Sequence, residues 1–179
     1  MMLQRHFTEV SKSGRVFAVA GSTPALRALH EAGVEHRVHH FEDDVPADAA
    51  DVGYAKAAAL ALGVDEVRVF KTLVVKADER FVVAVVPSSG NLSLRKIARV
   101  LGARTAVMAP APDAQRMTGY VVGGISPFGQ KRRLTTVVDE TVRNHDTVFV
   151  SAGRRGWDVE LGPDALVAVT DAVVADIAG

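Results

Sequence analysis

The chain has 179 residues, 48% of them hydrophobic, and its 21 basic and 21 acidic side chains give a formal net charge of zero. This composition is typical of one globular domain; it argues against a disordered chain and against a strongly basic protein that coats long nucleic acids. The absence of cysteine excludes disulfides and a thiol nucleophile, and with no apolar run long enough to span a bilayer we expect a cytoplasmic protein without membrane contact.

The predicted elements begin after a polar N-terminal extension, residues 1–21, and we expect residues 22–179 to form one domain. A helix begins at Ser22-Thr23-Pro24, because a hydroxyl can cap a helix and proline fits its first turn, and it ends at Gly33. The next predicted elements are a strand over 35–41, a polar loop over 42–51 and an alanine-rich helix over 54–62.

The strongest strand patterns are residues 69–76 and 81–86, joined by a turn at 78–80. Residues 81–86 are apolar on both faces, which predicts a central strand covered on each side. The remaining predicted elements are helices over 93–101, 112–117 and 163–169, a glycine-rich loop over 118–133, and strands over 105–108, 136–139, 147–151 and 158–161. This irregular order predicts a mixed α/β (α+β) fold, with a mixed sheet curled into a partial barrel and helices around it.

Lys71 interrupts an apolar row in the first strong strand, because side chains alternate between the two faces and Lys71 shares its face with Val69, Leu73 and Val75. An ammonium buried without partners costs several kcal/mol or more. Such a lysine must lie at a cleft, pair with an acid, or reach out to water. A cleft and an ordinary lysine near the start of a strand remain open alternatives.

Residues 118–129 contain four glycines. Glycine allows positive φ and close approach of the backbone to a ligand, and free N–H groups in such a loop can bind an anion or an oxyanion. The spacing matches neither a Walker loop nor a Rossmann fingerprint. The alternative is a series of tight turns without a ligand.

Residues 149–156 carry Ser151 at a predicted strand end, followed by turn glycines, and Asp158 opens the next strand. Both side chains are candidates for substrate contact, although no Gly-x-Ser-x-Gly motif indicates a serine nucleophile. The alternative is an ordinary hairpin.

Short basic runs provide candidate contacts for tRNA phosphates, with ordinary solvated surface as the alternative. The candidates are Lys131, Arg132, Arg154 and Arg155. The histidines at 36, 39 and 40 have no ligand spacing typical of a metal site, so we predict no metal.

Taken together, the chain resembles the YbaK/EbsC family, the stand-alone relatives of the editing domain inserted in bacterial prolyl-tRNA synthetases. The resemblance covers residues 22–177. Its motifs are Thr23-Pro24-Ala25, Val69-Phe70-Lys71-Thr72-Leu73, Met117-Thr118-Gly119-Tyr120 with Gly123-Gly124-Ile125-Ser126-Pro127, Gly129-Gln130-Lys131, and Val150-Ser151 with residues 153–160.

The resemblance implies an aminoacyl-tRNA deacylase without a cofactor, which hydrolyses the ester between a wrongly attached amino acid and tRNA. It makes Lys71 the catalytic residue. The family's substrate pocket maps onto Gly123, Ser151 and Asp158, and we add Tyr54, Gly124 and Ser126 as candidate substrate-binding residues. Three positions depart from the family pattern: Phe41 replaces a common tyrosine, Tyr54-Ala55 replaces Phe-Gly, and Ala152 replaces a glycine.

The implied partners are mischarged tRNA(Pro) and prolyl-tRNA synthetase, and Cys-tRNA(Pro) is the first candidate substrate. Ala-tRNA(Pro), hydrolysed by water, is an alternative. A non-catalytic tRNA-binding or synthetase-associated module is an alternative of another class.

Overall fold

A computed structural model describes residues 22–41 and 53–179. The predicted extension, residues 1–21, and the predicted polar loop, residues 42–51, lie outside the described residues. The division into an extension and a domain therefore stays a prediction.

Eight strands and five α-helices make up the described part of the chain, together with short 3₁₀ helices at Glu66–Arg68 and Glu140–Asn144. In chain order the elements are α1 Pro24–Glu31, β1 His36–His40, α2 Tyr54–Leu62, β2 Phe70–Ala77, β3 Arg80–Pro87, α3 Leu94–Val100, β4 Ala106–Met108, α4 Ala111–Thr118, β5 Thr135–Asp139, β6 Val148–Arg154, β7 Trp157–Leu161, α5 Pro163–Thr170 and β8 Val173–Ala175.

The strands form two sheets. One has five strands in the order β4-β2-β3-β5-β8, in which β3, β5 and β8 run parallel to one another and the β2 pairs are antiparallel. The other is antiparallel and has three strands in the order β1-β7-β6. A parallel bridge between Val69 and Phe149 connects them. The predicted mixed α/β class is confirmed, with the strands divided between two sheets.

Strand β3 lies in the middle of the five-stranded sheet, between β2 and β5. Val83 and Val85 pack into the larger apolar cluster on one face, whereas Val82, Ala84 and Val86 pack into a second cluster on the other. The prediction of a central strand covered twice is confirmed, because an apolar residue at every position can be buried only if both faces are covered.

Helix α1 begins as predicted. Thr23 Oγ1 accepts a hydrogen bond from the Leu26 N–H, and Pro24 occupies the first turn. The same hydroxyl donates to the carbonyl oxygen of Ala152, which joins the start of α1 to β6.

The edge of β2 is open over the first half of the strand. Strand β4 pairs only with residues 75–77 of β2, and the Ala109 N–H just after β4 donates to the Val74 carbonyl oxygen, so residues 70–73 have no neighbour on that side among the described strands. This gap positions the cavity described below. Strand β8 was not predicted, because three residues are too few to show a period.

Candidate active site

A cavity of about 530 Å³ lies at the open edge of β2, where the start of α2, the glycine-rich loop and the β6–β7 hairpin converge. That volume is in the range of small-molecule and cofactor sites. Part of its lining is apolar: Phe41, Val74, Met108, Ala109, Ala114 and Ile125. Its polar lining includes Tyr54, Lys71, Thr72, Ser88, Asn91, Ser151 and Asp158.

Lys71 lines this cavity and is half-buried. Its Nζ donates a hydrogen bond of 2.6 Å to the carbonyl oxygen of Gly90, and no described carboxylate is within ion-pair distance. Burial lowers the pKa of Lys71 below its usual value. A partly desolvated cation without a counter-charge is suited to bind an anion that enters with a ligand.

Ser151 and Asp158 are direct partners across the antiparallel β6–β7 pair, so both side chains leave the same face of the sheet. Both line the cavity. Ser151 Oγ accepts a hydrogen bond of 3.2 Å from the Gly153 N–H, which leaves its O–H free to donate elsewhere.

Asp158 is buried, and burial raises its pKa to about 7. None of the hydrogen bonds within the two described ranges reaches its carboxylate, which explains why nothing offsets the desolvation. The ammonium group of a ligand placed next to Asp158 would supply the missing counter-charge and favour the ionised form.

Gly123 brings the glycine-rich loop against α2. A Cβ built on Gly123 would lie 2.4 Å from Tyr54 Cδ2, and the residue has a φ of +89°, so only glycine fits there without strain. No carbonyl oxygen of residues 22–41 or 53–179 accepts the Gly123 N–H, which makes it a candidate donor to a ligand.

Two other predicted residues support the loop and do not line the cavity. The Gly124 N–H already donates to the Val121 carbonyl oxygen at 3.0 Å, which leaves no free N–H there for an oxyanion. Ser126 is fully buried, and its Oγ accepts the Phe128 N–H at 3.2 Å. The structure thus assigns both residues supporting positions in the loop.

The predicted phosphate contacts are exposed and fall in two places outside the cavity lining. Lys131 and Arg132 lie at the end of the glycine-rich loop, beside the C-terminal end of α4, where their backbone N–H groups donate to the carbonyl oxygens of residues 118 and 117. Arg154 and Arg155 lie in the β6–β7 hairpin, and a Cβ on Gly124 would lie 2.9 Å from the Arg155 nitrogen.

Some lining residues were missed by the sequence reasoning. Thr72, next to Lys71, has a hydroxyl oxygen that is buried without a hydrogen-bond partner among the residues described. Its position in the motif around Lys71 was the available signal. The sequence contains no signal for Met108 and Ala109, because they line the cavity as a result of where β4 stops pairing with β2.

No cluster of three or more metal-ligating side chains occurs within residues 22–41 and 53–179. Among the predicted histidines, His39 pairs with Glu160, Nε2 to Oε2, at 3.0 Å. None of the described helices has the length and apolar character to cross a bilayer.

The arrangement provides a cation, an N–H donor and a buried carboxylate around one cavity. The chain has no cysteine that could act as a thiol nucleophile. No histidine is among the residues that line the cavity, so Ser151 has no histidine base there. These groups can position a ligand that has a negative group, a carbonyl and an amine, and can stabilise charge on the carbonyl oxygen.

Comparison with known proteins agrees with this chemistry. The family model for the aminoacyl-tRNA editing domain matches residues 49–169. A candidate Cys-tRNA(Pro)/Cys-tRNA(Cys) deacylase, EbsC of Enterococcus faecalis, is 34% identical over 87% of this chain and 92% of its own length. The proline–tRNA ligase of Caldicellulosiruptor bescii is 28% identical over 55% of this chain and 17% of the ligase.

Among solved structures, a candidate trans-editing enzyme for prolyl-tRNA synthetase has a TM-score of 0.76 and 27% identity, with 89% of this chain and 99% of that chain covered. The motifs, the fold and both kinds of relative therefore agree. The chain belongs to the aminoacyl-tRNA editing domain family, in its stand-alone YbaK/EbsC form, and is an aminoacyl-tRNA deacylase that edits mischarged tRNA in trans.

Proposed function

We propose that the substrate is Cys-tRNA(Pro) and that the cavity around Lys71 is where its ester is hydrolysed. The observation that carries the proposal is that one cavity contains two groups without a counter-charge: the Lys71 ammonium and the buried Asp158 carboxyl. An aminoacyl-tRNA end carries their complements, because it has phosphates on one side of the ester and an α-ammonium on the other. The name of the E. faecalis relative supports the choice of cysteine and includes tRNA(Pro) together with tRNA(Cys).

Editing of this kind is needed because a synthetase pocket that selects by size discriminates weakly. About one methylene gives only 10- to 200-fold discrimination. Cysteine and alanine fit where proline fits, so a second site must hydrolyse the error.

In the proposed complex Lys71 binds the terminal phosphate or ribose, and the Gly123 N–H faces the ester carbonyl oxygen. Asp158 and Ser151, which are neighbours on the β6–β7 hairpin, bind the α-ammonium. Gly124 and Ser126 contribute by keeping the loop in place, as their hydrogen bonds indicate. Tyr54 packs against Gly123 and closes one side of the site.

We propose that the substrate's own thiol is the nucleophile. Its sulfur forms a bond to the ester carbonyl carbon, the carbon–oxygen bond to the ribose breaks, and the thiol proton passes to the released ribose hydroxyl. Water then opens the cyclic thioester to free cysteine. An aminoacyl ester is already activated, so positioning and stabilisation of the oxyanion suffice.

We further propose that Lys131, Arg132 and Arg154 contact phosphates beyond the terminal nucleotide, since all three are exposed. Prolyl-tRNA synthetase is the proposed partner, because it releases the mischarged tRNA on which the protein acts. Such a role places the protein in the cytoplasm, where tRNA is charged.

A panel of Cys-, Ala-, Ser- and Pro-tRNA(Pro) tests the proposal by release of the free amino acid. We expect fast hydrolysis of Cys-tRNA(Pro), and intact Ser-tRNA(Pro), which has a hydroxyl where cysteine has its thiol. Hydrolysis of Ala-tRNA(Pro) with Cys-tRNA(Pro) left intact would replace the proposed substrate with alanine. Binding of every tRNA without any release would contradict catalysis and favour a binding module.

A further inference from the structure

The guanidinium of Arg155 is held in one orientation at the rim of the cavity. Its Nε and Nη2 both donate to the carbonyl oxygen of Val122, at 2.9 and 2.7 Å, and its central carbon lies 4.8 Å from the centre of the Tyr54 ring. Two bonds to a single acceptor and one aromatic contact fix the plane of the group.

The central carbon of Arg155 lies over the Tyr54 ring and the side chain as a whole is exposed, so we infer that Tyr54 covers one face of the guanidinium and that the opposite face is open to solvent. A flat cation with one open face is a stacking surface for a nucleobase, and arginine planes serve this purpose in RNA recognition. The Nε–Nη2 edge of the guanidinium, one of the edges that could bind a phosphate through two hydrogen bonds, is already occupied by the Val122 carbonyl oxygen.

The position of this surface relative to the site selects the base. Tyr54 and Val122, the two residues that hold Arg155, both line the cavity. In an aminoacyl-tRNA the ester is on the ribose of the terminal nucleoside, so the base of that nucleoside lies only one sugar ring from the ester. A base at the rim of the cavity is therefore the terminal adenine.

We propose that Arg155 binds the terminal adenine of the aminoacyl-tRNA by stacking, with its guanidinium held between Tyr54 and the base. This proposal rests on the proposed function, because it assumes that the ester enters the cavity. It replaces the phosphate contact predicted for Arg155 from the sequence with contact to a base. Arg155 is a binding residue, and it takes no part in bond breaking.

The test uses two small esters without phosphate: the cysteinyl ester of adenosine and cysteine methyl ester, which has no base. The variants are Arg155→Gln and Arg155→Lys, and the second retains the charge but has no plane. Arg80→Gln is the matched control, because Arg80 is another exposed guanidinium bonded to a backbone carbonyl and does not line the cavity. Thermal unfolding of each variant checks that it is folded.

We expect both Arg155 variants to raise KM for the adenosine ester at least about fivefold, the lower end of the effect of losing one base stack. Their kcat, and their KM for the methyl ester, should stay within about twofold of the wild-type values, as should every value for Arg80→Gln. Wild-type behaviour of Arg155→Lys would show that charge is what matters and would overturn the proposal. An equal loss on the methyl ester would overturn it as well, since the residue would then support the cavity itself.

Full-length Cys-tRNA(Pro) gives a second measurement that does not depend on turnover of small esters. If Arg155 stacks on a base, Arg155→Gln raises KM and leaves the dependence of log KM on log salt concentration unchanged. A slope lowered by about one indicates a lost phosphate contact and contradicts the proposal.

Wild-type protein that hydrolyses neither the esters nor the tRNA would contradict the proposed function first, whereas active wild type with unaffected Arg155 variants overturns only the stacking.

Discussion

The ring of Tyr54 in helix α2 packs directly on the backbone of Gly123, at a place where the glycine-rich loop has no side chain of its own. The contact needs a residue that lacks a Cβ and tolerates a φ of +89°. Because Tyr54 and Gly123 both line the cavity, this close approach sets the width of the site at that side.

Gly123→Ala should therefore abolish most deacylation. The new methyl group must push Tyr54 away and also strain the backbone, which by itself costs about 1 to 2 kcal/mol. Gly102→Ala is the control, because Gly102 has a φ of +62° with nothing within 4 Å of a built Cβ. We expect the same backbone cost there, measured by chemical denaturation, with wild-type kcat/KM. Full activity of Gly123→Ala would contradict the geometry assigned to the loop.

Lys71→Met should lower kcat/KM on Cys-tRNA(Pro) by about 100-fold or more, the effect expected when the group that positions the phosphate or ribose beside the ester is removed. Stability should change little, since Lys71 has no ion pair in the described structure and burial of its charge is already unfavourable. Lys76→Met is the control on the same strand, because Lys76 pairs with Glu79 outside the cavity. Comparable losses in the two variants would argue against a specific role for Lys71.

Asp158 makes stability depend on pH. Burial raises its pKa in the folded state from 3.8 to about 7, so between those values the folded protein holds a proton that the unfolded chain has released. The stability that protonated Asp158 contributes is therefore fully present below about pH 4 and is lost as pH rises to about 7. Above about pH 7 the free energy of unfolding no longer changes because of Asp158. The contribution amounts to about 4 kcal/mol at most.

Asp158→Asn removes that dependence. We expect the free energy of unfolding of the wild type, minus that of the variant, to fall between pH 4 and 7 in denaturant titrations. The comparison within one pair of proteins is needed because lowered pKa values of Asp78 and Asp139 act in the opposite direction in both. A difference that does not vary with pH would show that Asp158 ionises as it does in water.

The activity should depend on the same carboxyl. If the ionised Asp158 binds the α-ammonium, kcat/KM rises with pH through an apparent pKa near 7, because this ratio reports the free enzyme. Asp158→Asn should give a low value without that rising limb. A wild-type profile that is flat from pH 5.5 to 7.5 would rule out this role.

Two serines separate substrate binding from support of the loop. Ser151→Ala removes a hydroxyl in the cavity and should raise KM, with kcat affected less. Ser126→Ala leaves the buried Phe128 N–H without its acceptor and should lower the free energy of unfolding by about 1 to 3 kcal/mol. Kinetics and denaturation of both variants check the assignment, and the reverse pattern would contradict it.

Much of the fold could be predicted because its signals are local. Apolar residues at every position of 81–86 identified the central strand, and Thr23 with Pro24 identified the start of α1. Strand β8 could not be predicted, because it is too short for a period and owes its place to the parallel partner β5.

The chain sequence by itself determined the family, through motifs read in order, and the face of β2 on which Lys71 lies, through the alternation of side chains. Only the tertiary structure decided that Lys71 is half-buried in the same cavity as Asp158. It also decided that Gly124 and Ser126 support the glycine-rich loop and do not line the cavity. The physical reason is that periodicity acts over a few residues, whereas the cavity depends on where β4 stops pairing with β2 and on how the two sheets meet.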